Sequence, residues 1–148
     1  MNRYPMTSLP LLMAVKFKMA QKILLDTCTF LWLVRDDASL SSRARELIVD
    51  LNNTIFLSSV SAWEITVKHD LGRLPLADLP DIYIPNERQK HGIESLPLVE
   101  EAVAQLNKLP SYHNDPFDRM LICQAIYHDC VLLTPDHAII KYPVNTQW

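Results

Sequence analysis

Four carboxylates stand beside apolar runs. Asp26 follows Ile23-Leu24-Leu25, Glu64 lies inside "SSVSAWEITVK", Asp118 lies in "NDPFDRMLICQA", and Asp136 comes two residues after Val131-Leu132-Leu133-Thr134. A fifth, Asp115, precedes Asp118 by three residues. If such groups converge, their charges conflict: two of them about 4 Å apart repel by roughly 4 kcal/mol at an effective dielectric near 20. They must then protonate or be neutralised by a cation. An all-oxygen donor set suits Mg²⁺ or Mn²⁺. Carboxylate-held ions of this kind activate water and stabilise charge on phosphoryl oxygens, which is the chemistry of phosphodiester hydrolysis.

Convergence depends on the elements that carry these residues. Lys22 to Asp26 reads as a short buried strand, with a helical segment following through Phe30, Leu31 and Val34. Ser39 to Leu51 reads as a serine-capped helix, and Thr54 to Leu57 as a β-branched and aromatic strand. Ser58 or Ser59 caps a helix that Gly72 ends. The stretch from Arg73 to Pro85 holds three prolines and reads as a connector, with a short helix near Glu87. Ile93 to Leu96 is a weak strand, Val99 to Leu109 an amphipathic helix, Asp115 to Tyr127 a helix with proline at its first position, and Val131 to Thr134 a buried strand.

Strands that alternate with helices and lack hairpin turns imply an α/β fold, a parallel sheet covered on both faces. Ligands of such sheets sit beyond the carboxyl ends of the strands, where Asp26 and Asp136 fall. Glu64 shares a helix face with Val60, Val67 and Leu71, and Asp118 shares one with Leu121, Ile122 and Ala125, so both are expected to point over the sheet. Right-handed connections would bring the N-termini of both helices to that same edge.

Each carboxylate also has a plainer reading. For Asp115 capping the helix is the better reading, with Asp118 completing a capping-box-like pair. Asp26 and Asp136 could each cap the helix or turn that follows. Four such placements at one edge are a less economical explanation than one shared site. Trp32 and Trp63 are read as core residues, and the five histidines as mostly surface, with His113 and His137 near the site.

Composition narrows the classes further. The 148 residues are 49% hydrophobic and 21% charged, consistent with one globular domain. With only two glycines, neither a dinucleotide-binding loop nor a P-loop can be built. The net charge of −3 excludes nucleic-acid binding driven by bulk charge, though not a local basic rim. Three cysteines without a C-x-x-C arrangement read as reduced core thiols of a cytoplasmic protein. No apolar stretch reaches the roughly 20 residues of a membrane span. Residues 1–20 contain a short, Pro10-broken apolar run without a cleavage site and are read as a loosely held extension ahead of a domain over residues 21–148.

Taken together, "LLDTCTFLW" (24–32), "SSVSAWEITVK" (58–68), "HNDPFDRMLICQA" (113–125) and "LLTPD" (132–136) resemble the PIN-domain ribonucleases, and within them the VapC-like toxins of toxin–antitoxin pairs. The resemblance spans nearly all of residues 22–148. It implies a parallel sheet of four or five strands with helices on both sides. It also implies hydrolysis of RNA, leaving a 5′-phosphate and a 3′-hydroxyl, with Mg²⁺ or Mn²⁺ held by Asp26, Glu64, Asp118 and Asp136. Asp115 is implied as an auxiliary and Thr134 as the hydroxyl beside the last acid. A cognate antitoxin and homodimerisation belong to the same expectation. Arg119, Lys68 and Arg73 are candidates to track the RNA backbone, with solvated surface charge as their plainer reading. Pro135 departs from the polar or basic residue of many members.

Rival readings are weaker. A haloacid-dehalogenase-like phosphatase expects an aspartate where Cys28 stands, and a phosphoacceptor receiver needs an early acidic pair and a strand-end lysine. A noncatalytic interaction module of the same fold, or a housekeeping RNA-processing nuclease, remains the alternative. The intact acidic set disfavours the first of these.

Overall fold

The computed structural model describes residues 19–148, so the expected N-terminal extension lies, through residue 18, outside the described residues. The described chain forms five parallel strands in the order β3-β2-β1-β4-β5: β1 (Lys22–Leu25), β2 (Thr54–Ser58), β3 (Glu94–Leu96), β4 (Val131–Leu133) and β5 (Thr146–Gln147). Register is fixed by pairs such as Leu24 with Phe56 and Leu24 with Leu132. β1 is central, and its side chains alternate between two cores, as a period of two requires. Ile23 and Leu25 enter one cluster with Ile55, Leu57 and Leu133, and Leu24 enters the other with Leu132.

Helices cover both faces. α1 (Thr27–Val34), α2 (Ser42–Val49) and α4 (Pro80–Lys90) supply Phe30, Leu47 and Ile84 to the first cluster. On the opposite side, α6 (Pro116–His128) and α7 (His137–Ile140) supply Leu121, Ile122 and Ile139. α3 (Ser59–Asp70) serves both, with Ile65 in one cluster and Val60 in the other. The α/β fold with a fully parallel sheet is as the sequence implied.

Several boundaries differ, each for a local reason. The helix expected over 39–51 begins only at Ser42, because Ser41 takes the capping role by accepting the Ala44 N–H. The proline connector is shorter than expected: Pro80 sits at the first position of α4, and Pro85 is tolerated inside it. That inner proline gives up one backbone bond, at a half-buried position of the helix. The single helix expected over 99–109 is one α-turn, α5 (Glu100–Val103), running into a 3₁₀ segment (Ala104–Lys108). β5 was not foreseen because Thr146–Gln147 is too short to show alternation.

Trp63 corrects a core assignment. It is 59% exposed and meets Phe117 edge-on at 4.8 Å, whereas Trp32 packs against the core beside Trp148. The Glu64 face likewise shifts: Val60, Ser61, Glu64 and Ile65 are buried, and Leu71 is 60% exposed. Among the described residues no helix is long and apolar enough to cross a membrane.

Candidate active site

The carboxyl edge of β1 and β4 opens into a crevice of about 420 Å³ lined by five carboxylates, Asp26, Glu64, Asp115, Asp118 and Asp136. Lys68, Arg73, Thr27 and Cys28 complete much of its wall. The larger cavity, between α3 and α4, is mainly apolar and lies apart from these acids.

Helix capping is how the fold aims three of these aspartates. Asp26 caps α1, its Oδ1 accepting the Thr27 N–H at 2.7 Å. Asp115 caps α6 through Oδ1 and the Asp118 N–H at 2.9 Å. Asp136 caps α7 through Oδ1 and the Ala138 N–H at 2.8 Å. Capping and site formation are therefore not alternatives: a cap occupies one carboxylate oxygen, and the other remains to face the crevice in Asp115 and Asp136 or to bond Thr134 in Asp26. Asp118 completes no capping box, because its carboxylate is engaged by His113 instead.

Thr134 joins the first acid to the last. Its hydroxyl donates to Asp26 Oδ2 at 2.7 Å and accepts the Asp136 N–H at 3.0 Å. Thr134 is fully buried and Asp26 is 5% exposed. Thr134→Val removes a donor from a buried carboxylate and an acceptor from a neighbouring amide, a loss of about 1–3 kcal/mol. The melting temperature in chelator should fall by roughly 3–9 °C, and Thr134→Ser should retain most of it.

Burial dominates the electrostatics. It raises the pKa of Asp26, against hydrogen bonds from Thr134, Thr27 and Cys28, with the Glu64 charge adding to the rise. Asp118 is pushed up to about 6, first by burial and then by repulsion from Asp26, Asp115 and Asp136, against the bond from His113. His113 is also raised, against its burial, because the Asp118 carboxylate favours the charged ring. A simple ion pair would lower the carboxylate of such a couple; here burial and the crowd of acids decide the direction for Asp118. The Cys28 thiol, pushed up to about 12 by burial and by Asp26, stays protonated and is no nucleophile.

The Lys68 ammonium supplies the local counter-charge, 2.5 Å from Glu64 Oε2. That bond raises the lysine pKa against the opposing effect of burial, and Asp115 and Asp118 contribute as well.

A stability signature follows. With a folded pKa near 6 against an ordinary 3.8, Asp118 favours the folded state when protonated, and this contribution is lost as pH rises from about 4 through 6. In chelator, Asp118→Asn should therefore match the parent near pH 4 and exceed it by roughly 1–3 kcal/mol above pH 7. Denaturant melts across this range check the sign.

Of the candidate RNA-contacting residues, Lys68 and Arg73 line the crevice. Arg119 does not: its Nη1 donates to Pro110 O at 2.8 Å and to Tyr142 Oη at 3.0 Å, beside a neighbouring cavity. His113 and Tyr142, 3% exposed, gained no functional role from the sequence. His113 precedes the helix that holds its partner, and Tyr142 comes 24 residues after Asp118, so no spacing rule links them. His137 is exposed at the start of α7.

Residues 23–145 match the PIN domain family. The chain belongs to it. A stretch of 55 residues is 34% identical to "Ribonuclease VapC16" of Mycobacterium tuberculosis, covering 37% of this chain and 39% of that protein, so the match spans well under two thirds of its length. The fold is shared with the structure of VapBC2 from Rickettsia felis bound to a promoter DNA fragment (TM-score 0.65, 12% identity, 86% of this chain and 98% of that one). It is shared too with VapBC-1 from nontypeable Haemophilus influenzae (TM-score 0.59, 16% identity, 86% and 97%). At these identities the likeness is one of fold, and this PIN domain's five-stranded parallel sheet accords with it.

Proposed function

We propose that this PIN domain is a metal-dependent endoribonuclease that hydrolyses RNA phosphodiester bonds and serves as the toxin of a toxin–antitoxin pair. The observation that carries the reading is the single crevice in which Asp26, Glu64, Asp118 and Asp136 meet at the carboxyl edge of the sheet, with Asp115 on its wall. Membership of the PIN family and the partial identity to a named ribonuclease support the activity. The VapBC names of two fold neighbours support an antitoxin partner.

The donors fit a divalent cation by their chemistry. They are hard oxygens, and burial, with a lesser contribution from repulsion among the acids, raises Asp26 and Asp118. Among the described residues no three of His, Cys, Asp or Glu stand close enough to form a ready-made cage. Mg²⁺ does not require one, since it commonly binds one or two carboxylates and completes its shell with water and phosphate oxygens. Asp26, Glu64, Asp118 and Asp136 are the residues that would hold Mg²⁺ or Mn²⁺. Such an ion, when bound, supplies a Lewis acid that activates water and neutralises phosphoryl charge.

The chain's own groups do the rest. Thr134 orients Asp26, and Lys68 and Arg73 offer cationic contacts for the RNA backbone at the mouth of an otherwise repulsive acidic pocket. Binding of RNA should consequently weaken as salt rises.

The test uses purified full-length chain with structured RNA, in Mg²⁺ or Mn²⁺ and in chelator. Cleavage confined to the metal arms, leaving 5′-phosphate ends, is expected; cleavage that persists in chelator would sink the proposal. Growth arrest on expression, absent for Asp118→Asn and relieved by a small neighbouring gene product, distinguishes toxin from housekeeping nuclease.

A further inference from the structure

Asp118 is gripped from outside the crevice. His113 Nε2 lies 3.1 Å from its Oδ2, and His113 Nδ1 lies 2.8 Å from the Tyr142 hydroxyl. That hydroxyl also receives the His113 backbone N–H at 3.2 Å and Arg119 Nη1 at 3.0 Å. Arg119 is itself anchored on Pro110 O at 2.8 Å.

For the neutral ring, the hydrogen count fixes the direction of each bond. A phenolic oxygen has one hydrogen to give and two lone pairs to fill. Two N–H donors fill the acceptor side of Tyr142, so its hydrogen is left for an acceptor. The candidates are Nδ1 at 2.8 Å and the His113 carbonyl at 3.5 Å, and the nearer one wins. A neutral imidazole whose Nδ1 accepts carries its hydrogen on Nε2. Nε2 therefore donates to Asp118.

We propose that His113 is a positioning residue for Asp118, with Tyr142 and Arg119 fixing its tautomer, so that Oδ2 is held and Oδ1 is the oxygen left for a ligand. The metal consequence rests on the reading of Asp118 given above, whereas the tautomer does not. Partners of this kind, one bond behind a ligand, set its orientation and basicity, and their loss typically weakens metal binding 10–100-fold. The arrangement also ties the C-terminal part of the chain to the site: Tyr142 lies just beyond α7, and Tyr112 meets its ring edge-on at 5.0 Å.

Two measurements test this on the full chain. Long-range ¹H–¹⁵N correlation spectra of the metal-free protein, taken above the titration of the ring, should show His113 as the Nε2–H tautomer, with that preference lost in Tyr142→Phe. An Nδ1–H tautomer in the parent overturns the proposal whatever the metal does. Calorimetric titration with Mn²⁺ should show affinity falling 10–100-fold in His113→Asn, which cannot reach the Nε2 position. His113→Gln, whose amide nitrogen can reach it, should recover to within roughly threefold of the parent. Tyr142→Phe should weaken binding less, and add nothing on top of His113→Asn, since it acts through the ring. Unchanged affinity in His113→Asn, with the parent binding normally, overturns the positioning role alone. A parent that takes up no Mn²⁺ overturns the reading of the site, and the metal role of His113 with it.

Discussion

Asp26→Asn should lower Mn²⁺-dependent RNA cleavage by on the order of 10³-fold while leaving the metal-free protein close to the parent in stability. The substitution keeps the size and shape of the side chain and removes its charge. Asp26 is 5% exposed at the end of the central strand, and burial raises its pKa. In the metal-free protein that charge is a liability, and its removal offsets the loss of the acceptor that Thr134 uses. With a divalent cation present the same charge becomes a principal ligand, and its loss removes the electrostatic stabilisation that drives hydrolysis. Unequal effects on stability and turnover are the expected mark of a group retained for function. Equal losses of both, seen in parallel melts and cleavage assays, would instead mark Asp26 as structural.

Leu133→Ala is expected to destabilise the protein by about 2–5 kcal/mol and to lower its melting temperature by roughly 6–15 °C. Leu133 is fully buried in β4 and paired to Leu25 of β1. Its carbonyl also accepts the Asp26 N–H at 3.2 Å and the Thr29 hydroxyl at 2.8 Å. The truncation leaves a cavity beneath the strand ends that carry Asp26 and Thr134. Cleavage assayed well below the melting transition should fall less than in Asp26→Asn, because the carboxylates themselves survive. Thermal melts with and without Mn²⁺ check both parts.

These contrasts explain what could be read from the chain in advance. Asp26, Glu64, Asp118 and Asp136 were legible because each follows or interrupts an apolar run whose period places it at one sheet edge. The parallel sheet was legible for the same reason, since β1 and β4 are apolar on both faces. Thr134 was suggested only by resemblance, and its bonds to Asp26 and Asp136 span 108 residues and two residues respectively. The His113–Tyr142–Arg119 cluster left no pattern at all, because it joins a loop, a helix and the C-terminal segment through bonds centred on one tyrosine hydroxyl. Periodicity misjudged Trp63, which sits at helical spacing among apolar residues yet faces outward against Phe117. It also lengthened the 99–109 helix, because an apolar pattern does not distinguish an α-turn from the 3₁₀ segment that continues it.

On the proposed reading, the crevice between Asp26, Glu64 and Asp118 is a divalent-cation site, held meanwhile by the Lys68 ammonium on Glu64. Crystals of the full chain soaked in Mn²⁺ and measured for anomalous scattering test it most directly. A peak is expected in that crevice, within about 2.0–2.3 Å of at least one carboxylate oxygen, with Lys68 displaced from Glu64. A crevice without a peak at saturating Mn²⁺, with Lys68 still on Glu64, would contradict it.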